Sequence, residues 1–209
     1  MSSPSACILV CSPRVGGNSD QAARRMAQAL QDGTPKIVRL ADRLISPCKS
    51  CGICLEQPGI CALSSGSRSP EASLLDRETS PSPEKTDQAL DILQAFCLAD
   101  VPCFISPIYF YHLPAQAKAL IDRCQAFYAM PDQAKPGQGR PMGVILLGAR
   151  QTGRELFSGA LLTLHYAALC LGLRLADPLL LYGLENAADL AARPDLLEKI
   201  SDYAQSLRP

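Results

Sequence analysis

The sequence predicts a doubly wound α/β fold, in which one parallel sheet of five strands in the order 2-1-3-4-5 carries helices on both faces. Short apolar runs alternate along the chain with segments of helical period. The runs at 7–11 (CILVC) and 143–148 (GVILLG) are almost continuously apolar, which is typical of strands buried on both faces. The chain has 209 residues, 47% of them hydrophobic, which is enough for one domain with a full core.

The individual elements follow from local pattern. We expect strands at 7–11, 37–40, 101–107, 143–148 and within 179–182, and helices at 19–30, 88–98, 114–128, from Glu155 onward and ending near 207. Residues 46–62 form a cysteine-rich loop after the second strand. Residues 62–85, rich in Ser, Pro, Glu and Arg, form an irregular insertion. We therefore predict a single domain over residues 1–209 that carries this loop and insertion.

Charge and hydropathy exclude several classes of partner. Twenty basic and twenty acidic side chains cancel, so no global field attracts nucleic acid or an anionic membrane, and we expect neither as a partner. The N-terminal apolar run is too short for a secretory signal and follows no positive charge, so we expect a cytoplasmic protein. Residues 156–173 are uncharged but interrupted by Ser158, His165 and Gly172. We expect a helix in the core or at a subunit contact there, rather than a membrane span.

The segment SPRVGGNS, residues 12–19, lies where a doubly wound fold presents backbone N–H groups to a ligand. Its two glycines permit a tight turn, and the positive end of the next helix follows, which favours an anion such as phosphate. A second interpretation is a helix cap by Asn18 or Ser19, with glycines that only turn the chain. The spacing alone leaves both open. In the first interpretation the phosphate contacts are Ser12, Arg14, Gly17, Asn18 and Ser19.

This loop and the segment SPIYFYHLPAQAKALIDR, residues 106–123, resemble the two signatures of the NADPH-dependent FMN reductase and flavodoxin-like oxidoreductase family. In that family the first loop holds the FMN phosphate, and a Pro-x-Tyr loop lies against the isoalloxazine ring. The segment GARQTGRE, residues 148–155, lies where a third loop closes over the flavin. The resemblance thus implies a flavodoxin-like fold, in which the flavin carries the chemistry without a catalytic side chain. It implies flavin contacts from Pro107, Ile108, Tyr109, Phe110, Thr152 and Gly153.

Four polar residues follow the aromatic loop. We expect His112 to be a solvated loop residue rather than a proton donor. We expect Lys118, Asp122 and Arg123 to be charges on a helix surface or at a subunit contact.

Four of the ten cysteines follow the pattern C-x2-C-x2-C-x6-C: Cys48, Cys51, Cys54 and Cys61. Structural zinc sites usually pair two separated C-x2-C motifs, whereas three thiolates in succession are typical of cubane clusters. A [4Fe–4S] cluster is therefore favoured, with a zinc ion or unligated thiols as alternatives. The iron–sulfur flavoproteins of the same family carry a compact four-cysteine motif after the second strand, so the resemblance also implies such a cluster. The other six cysteines lie in apolar contexts, and we expect them in the core.

These observations favour an FMN-dependent oxidoreductase that passes electrons between NAD(P)H or a ferredoxin-type donor and an acceptor, through FMN and a [4Fe–4S] cluster. One alternative is a cluster-free NAD(P)H-dependent FMN or quinone reductase. Another, of a different class, is a redox- or metal-responsive binding module. The apolar helix from Leu156 and the family resemblance both lead us to expect a homo-dimer or tetramer.

Overall fold

The computed structural model describes residues 5–30, 34–64, 86–153 and 155–208. Nearly all of the predicted insertion at 62–85 therefore lies outside the described residues. The strands are β1 Ser5–Val10, β2 Thr34–Arg39, β3 Val101–Pro107, β4 Pro141–Leu147, β5 Arg174–Leu175 and β6 Leu179–Leu181. The helices are α1 Asn18–Ala29, α2 Ile53–Glu56, α3 Ala89–Leu98, α4 Ala115–Asp122, α5 Gln125–Tyr128, α6 Ser158–Leu171 and α7 Pro194–Ser206, with 3₁₀ turns at Leu40–Asp42 and Asp132–Ala134.

The strands form one parallel sheet in the order β2-β1-β3-β4-β5, as predicted, and β6 also pairs with β4. The predicted fifth strand, within 179–182, is β6, and a second short strand, β5, lies on the same edge of the sheet. The start of β4 pairs with β5, and the end of β4 pairs with β6. The break between them contains Pro178, which has no N–H for the ladder. The sequence prediction found β6 and missed β5, which is only two residues long.

Helices cover both faces of the sheet, and nearly every side chain of its central strands is therefore buried. On one face, α3, α4 and α6 bury Phe96, Leu120 and Leu164. On the other, α1 and α7 bury Met26 and Ile200. α1 and α7 therefore lie on one side of the sheet, and α3, α4 and α6 lie on the other, which is the doubly wound arrangement.

Two helical predictions need adjustment. The predicted helix at 114–128 is two helices, α4 and α5, because the chain turns tightly at Arg123 and Cys124. The long apolar helix is α6, which buries Ala160, Leu164 and Leu171 against the sheet and exposes Leu162, Tyr166 and Leu169. Within the described ranges, no helix has the length and apolar character needed to cross a membrane.

Candidate functional site

The loops that follow β1 and β3 meet at the carboxyl edge of the sheet, where a doubly wound fold binds its ligand. They enclose a cavity of about 260 Å³. Its walls include eight of the predicted contacts: Ser12, Arg14, Gly17, Asn18, Ser19, Pro107, Ile108 and Tyr109. The remaining walls are Leu147, Ala149, Leu184, Glu185 and Ala187, which sequence reasoning did not identify.

The N-terminus of α1 opens into this cavity. The helix begins at Asn18, its N-cap residue is Gly17, and within the described chain no side chain caps it. The interpretation of Asn18 or Ser19 as the N-cap is therefore wrong. Because the first N–H groups of a helix have no intrahelical partner, an uncapped end in a cavity suits a bound anion.

An ion pair between the buried Asp20 and the half-buried Arg39 fixes the loop that precedes α1. Asp20, in the first turn of α1, pairs with Arg39 at the end of β2 and accepts a hydrogen bond from the Gly16 N–H. Arg39 Nη2 also donates to the Arg14 carbonyl (3.3 Å), and the Arg14 N–H donates to Ser12 Oγ (3.1 Å). Gly16 has φ +73°, a conformation that glycine adopts at little cost. Asp20 and Arg39, which hold the loop in this shape, do not themselves line the cavity.

Asn18 joins the loop to the opposite wall. Its Nδ2 donates to the Asn186 carbonyl (2.8 Å), and its Oδ1 accepts from the Leu190 N–H (3.1 Å). Gln21 Nε2 adds a bond to the Ala187 carbonyl (2.6 Å). These bonds bring the segment after β6 to the cavity. The side chain of Asn18 therefore positions the far wall as well as lining the site.

The aromatic loop after β3 forms the other side of the cavity. The Ile108 N–H donates to the Leu147 carbonyl (2.9 Å), and Tyr109 and His112 exchange backbone hydrogen bonds of 2.8 and 3.0 Å. Phe110 and Tyr111, at the tip, have φ values of +50° and +61°. Phe110 is fully exposed and does not line the cavity, and neither do Thr152 and Gly153.

Two contacts brace this aromatic loop. His112 Nε2 lies 3.1 Å from Thr163 Oγ1 on α6, so the ring contacts a helix, whereas the sequence led us to expect a solvated loop residue. The Arg150 guanidinium lies 5.4 Å from the centre of the Tyr111 ring, which is cation–π geometry. The loop after β4 therefore meets the aromatic loop through Arg150, although Thr152 and Gly153 stay outside the cavity.

The four-cysteine motif forms a second cavity, of about 600 Å³, lined by Cys48, Cys51, Cys54 and Cys61. Cys48 and Cys51 are exposed, and the other two are half-buried. The Ser50 N–H donates to Cys48 Sγ at 3.4 Å. Burial raises the pKa of the Cys54 thiol, and the neighbouring thiols raise it further. Nowhere in the described residues do three His, Cys, Asp or Glu side chains lie close enough to bind one metal ion.

Left-handed backbone conformations shape the cysteine loop. Ser50 has φ +52°, and Gly52 and Gly59 have φ values of +81° and +88°. The Gly59 N–H donates to the Ala126 carbonyl of α5 (2.6 Å), which docks the loop on the body of the protein. Gly52 and Gly59 adopt these left-handed conformations at little cost, whereas most other residues would be strained there.

Arg123 lies at the base of this cavity, and the expectation that it is a surface or subunit charge is wrong. Its side chain is 0% exposed, and Nη1 donates to Asp87 Oδ2 (2.9 Å) and to the Ser46 carbonyl (3.0 Å). Burial lowers the pKa of Arg123, but the hydrogen bond and charge of Asp87, with the adjacent Cys61 thiol, outweigh it and raise the pKa. Lys118 and Asp122 do form an ion pair on the surface of α4, as expected.

Asp87 joins the two ends of the cysteine loop. Its carboxylate accepts hydrogen bonds from the N–H groups of Ser46 (2.7 Å) and Ala89 (3.1 Å) as well as from Arg123. A β-bridge joins Asp87 to Ser64. Burial raises the pKa of Asp87, but the Arg123 hydrogen bond and the two backbone bonds lower it more, so the net shift is downward. The carboxylate is therefore held in its ionised form.

The other six cysteines have a structural role. Cys7, Cys11, Cys97, Cys103 and Cys124 are buried and Cys170 is half-buried. Burial raises the pKa of Cys7 to about 11 and that of Cys97 to about 12. Thiols with pKa values this high stay protonated and behave as small apolar groups, as expected from their sequence contexts.

A parallel sheet of this order, with helices on both faces and the loops after β1 and β3 meeting at its carboxyl edge, defines a flavodoxin-like fold. Residues 4–167 match the model of a family described as NADPH-dependent FMN reductase. The match covers more than half of the chain, and the chain belongs to this family. It is therefore an oxidoreductase with FMN as its cofactor. No curated protein sequence matches the chain.

Solved structures share the fold at low sequence identity. NAD(P)H:quinone oxidoreductase from Methanothermobacter marburgensis has a TM-score of 0.64 at 16% identity, covering 100% of this chain and 98% of its own. An FMN-dependent NADH-azoreductase from Bacillus anthracis str. Ames Ancestor, in complex with FMN, has a TM-score of 0.60 at 13% identity, covering 98% and 100%. A flavone reductase has a TM-score of 0.66 at 9% identity, covering 97% of this chain and 61% of its own length.

Proposed function

We propose that this FMN-dependent oxidoreductase passes electrons from NAD(P)H or a ferredoxin-type donor to an acceptor through FMN and a [4Fe–4S] cluster. The observation that carries the flavin site is the uncapped N-terminus of α1, which opens into a cavity with the Pro107–Tyr109 segment on its other side. When bound, FMN can take two electrons from a hydride donor and release them together or singly.

The residues around the first cavity fit FMN. The first N–H groups of α1 and the Ser12 hydroxyl would hold the phosphate, and Arg14 would add a charge-assisted contact. Tyr109 offers a flat apolar surface for the ring system. Phe110, Thr152 and Gly153 remain predicted contacts, and each would need a change of loop conformation on binding to reach the ligand.

The four-cysteine cavity supports the cluster part of the proposal. Its four thiols line one space, as the ligands of a cubane must. The described residues contain no group of three His, Cys, Asp or Glu side chains placed to hold a metal ion, so the support for the cluster is the chemistry and the sequence spacing of the four thiols. When bound, the cluster would supply single-electron transfer beside the flavin.

A cluster-free NAD(P)H-dependent FMN or quinone reductase is the second candidate. The structural likeness to a quinone oxidoreductase and to an azoreductase in complex with FMN favours it. The non-enzymatic binding module has no such support, because the chain belongs to a reductase family.

An absorption spectrum of anaerobically purified protein, before and after dithionite, separates the candidates. We expect a flavin spectrum on a broad shoulder near ~400 nm that reductant bleaches, with iron and sulfide in equal amounts. A flavin spectrum without the shoulder, and without iron, would leave the cluster-free reductase.

The electron donor is tested by anaerobic stopped-flow mixing with NADH, NADPH and reduced ferredoxin. Bleaching of the flavin by one of them identifies the donor class. If none of the three bleaches it, the proposed donors are wrong.

The exposed apolar residues of α6, Leu162, Tyr166 and Leu169, support the proposed homo-dimer or tetramer. Size-exclusion chromatography with light scattering tests this. We expect a mass of two or four chains, and a monomer at micromolar concentration would contradict it.

A further inference from the structure

We propose that Arg123 is the positioning residue and counter-charge of the four-cysteine cavity: it ties both ends of the cysteine loop to α4 and presents its remaining N–H donors beside Cys61. This inference rests on the proposed [4Fe–4S] cluster as the occupant of the cavity. It assigns a role to a side chain that belongs to no cysteine motif and lies sixty-two residues after Cys61 in the sequence.

The hydrogen bonding of Arg123 is incomplete. Nη1 donates to Asp87 and to the Ser46 carbonyl, whereas Nε and Nη2 have no nitrogen or oxygen acceptor within the described ranges. The residue lines the four-cysteine cavity, and the Cys61 thiol lies within hydrogen-bonding reach of the guanidinium. A neutral thiol is only a weak acceptor for a buried cation. Thiolate or inorganic sulfur in the cavity would supply the acceptors.

The contacts of Arg123 also close the cysteine loop. Ser46 lies two residues before Cys48, and Asp87 forms a bridge with Ser64, three residues after Cys61. Arg123 therefore binds the start of the loop directly and its end through Asp87. The break between α4 and α5 at Arg123 allows this, because the chain turns there and directs the side chain towards the cavity.

The charge of Arg123 has the sign that a cluster requires. A [4Fe–4S] cluster with four thiolates is anionic in both of its usual redox states, and reduction adds a further negative charge. Hydrogen bonds to the sulfurs and net charge nearby are among the factors that set cluster potentials. Lys49 is exposed, and Asp122 pairs with Lys118, so Arg123 is the buried cation among the residues that line this cavity.

The test compares anaerobically reconstituted wild type with Arg123→Met and Arg123→Lys, and uses Lys118→Met as a control that removes an exposed cation from the same helix. Iron and sulfide per chain, the cluster midpoint potential and FMN content are measured. In Arg123→Met we expect at least threefold less iron, and in the loaded fraction a potential lower by about 59 mV, which is a tenfold change in a one-electron equilibrium. Arg123→Lys should recover most of the potential, and Lys118→Met should match the wild type.

The outcomes separate this inference from the proposed function. If the wild type loads iron and Arg123→Met loads as much at the same potential, the role of Arg123 is overturned while the cluster stands. If the wild type takes up no iron and sulfide, the cluster and the counter-charge role both fail.

A second variant keeps the inference testable if Arg123→Met does not fold. Asp87→Asn keeps the Arg123 charge but weakens its anchor, so we expect faster hydrogen exchange in residues 46–61 with FMN retained. Unchanged exchange would overturn the positioning role.

Discussion

Each of the two cavities has an aspartate–arginine pair beside it, and the two pairs differ in which member lines the cavity. At the cavity after β1 and β3, the buried Asp20 accepts the Gly16 N–H and pairs with the half-buried Arg39, and neither residue lines the cavity. At the cysteine cavity, both members are buried, and Arg123 lines the cavity while Asp87 does not. The positive end of the twelve-residue helix α1 lies at the first cavity, whereas the helix in the cysteine loop, α2, has four residues, so the buried positive charge at the second cavity is a side chain.

Substitution of a cysteine in the four-cysteine cavity should have the largest effect, because no neighbouring side chain can take the place of a proposed cluster ligand. We expect Cys54→Ser to abolish iron and sulfide binding with FMN content unchanged, measured by metal analysis and absorption. The control is Cys170→Ser, a half-buried cysteine on α6 that does not line the cavity. Equal iron in Cys54→Ser and wild type would show that the cavity is not the cluster site.

Asp87→Asn tests the pair behind the cysteine cavity. Arg123 and two backbone N–H groups hold the pKa of Asp87 below its usual range, so the carboxylate stabilises the fold above an unfolded pKa of about 4. That stabilisation is lost as pH falls through the lower folded pKa. We expect Asp87→Asn to cost about 3–5 kcal/mol of unfolding free energy at neutral pH, measured by urea denaturation.

The same substitution should matter less in acid. The difference between Asp87→Asn and wild type should shrink at pH values below the folded pKa, where the wild-type carboxyl is protonated. The exposed Asp195, paired with Arg193, provides the control, and Asp195→Asn should leave the urea midpoint unchanged. A difference that is independent of pH would contradict the role given to the Asp87 charge.

Asp20→Asn tests the pair behind the phosphate loop. The amide can still accept a bond from Gly16 but no longer neutralises Arg39, so the loop should lose its fixed shape. We expect a roughly tenfold weaker Kd for FMN, equal to about 1.4 kcal/mol, by fluorescence titration. Asp42→Asn removes the exposed partner of the same arginine and serves as the control. Similar Kd values for both variants would mean that the Asp20–Arg39 pair does not organise the loop.

The smallest effect concerns the tip of the aromatic loop. Because Phe110 is fully exposed and Tyr109 lines the cavity, Phe110→Ala should change the FMN Kd by less than about twofold. Tyr109→Ala should weaken it by about fivefold to tenfold, in line with an aromatic contact of ~1 kcal/mol. A larger loss in Phe110→Ala than in Tyr109→Ala would show that the tip folds over the flavin when it binds.

Much of this protein could be predicted from short stretches of sequence. The apolar runs predicted β1, β3 and β4, and helical periodicity predicted α1 and α3. These features depend on neighbours within a few residues. The cysteine spacing is also local, so the sequence indicated that the four thiols would share one cavity.

What only the tertiary structure decided depends on contacts between residues far apart in the sequence. Arg123 is 36 residues from Asp87 and 77 from Ser46, and Asn18 is 168 from Asn186, so no window of sequence shows these pairs. An arginine at the end of an amphipathic helix is normally solvated, and its burial depends on a carboxylate that arrives from another segment. The sequence by itself therefore determined the main strands and helices and eight of the residues that line the first cavity, together with the four cysteines that line the second. Packing decided which charges are buried beside the cavities, because a buried charge is stable only when a partner of opposite charge lies next to it.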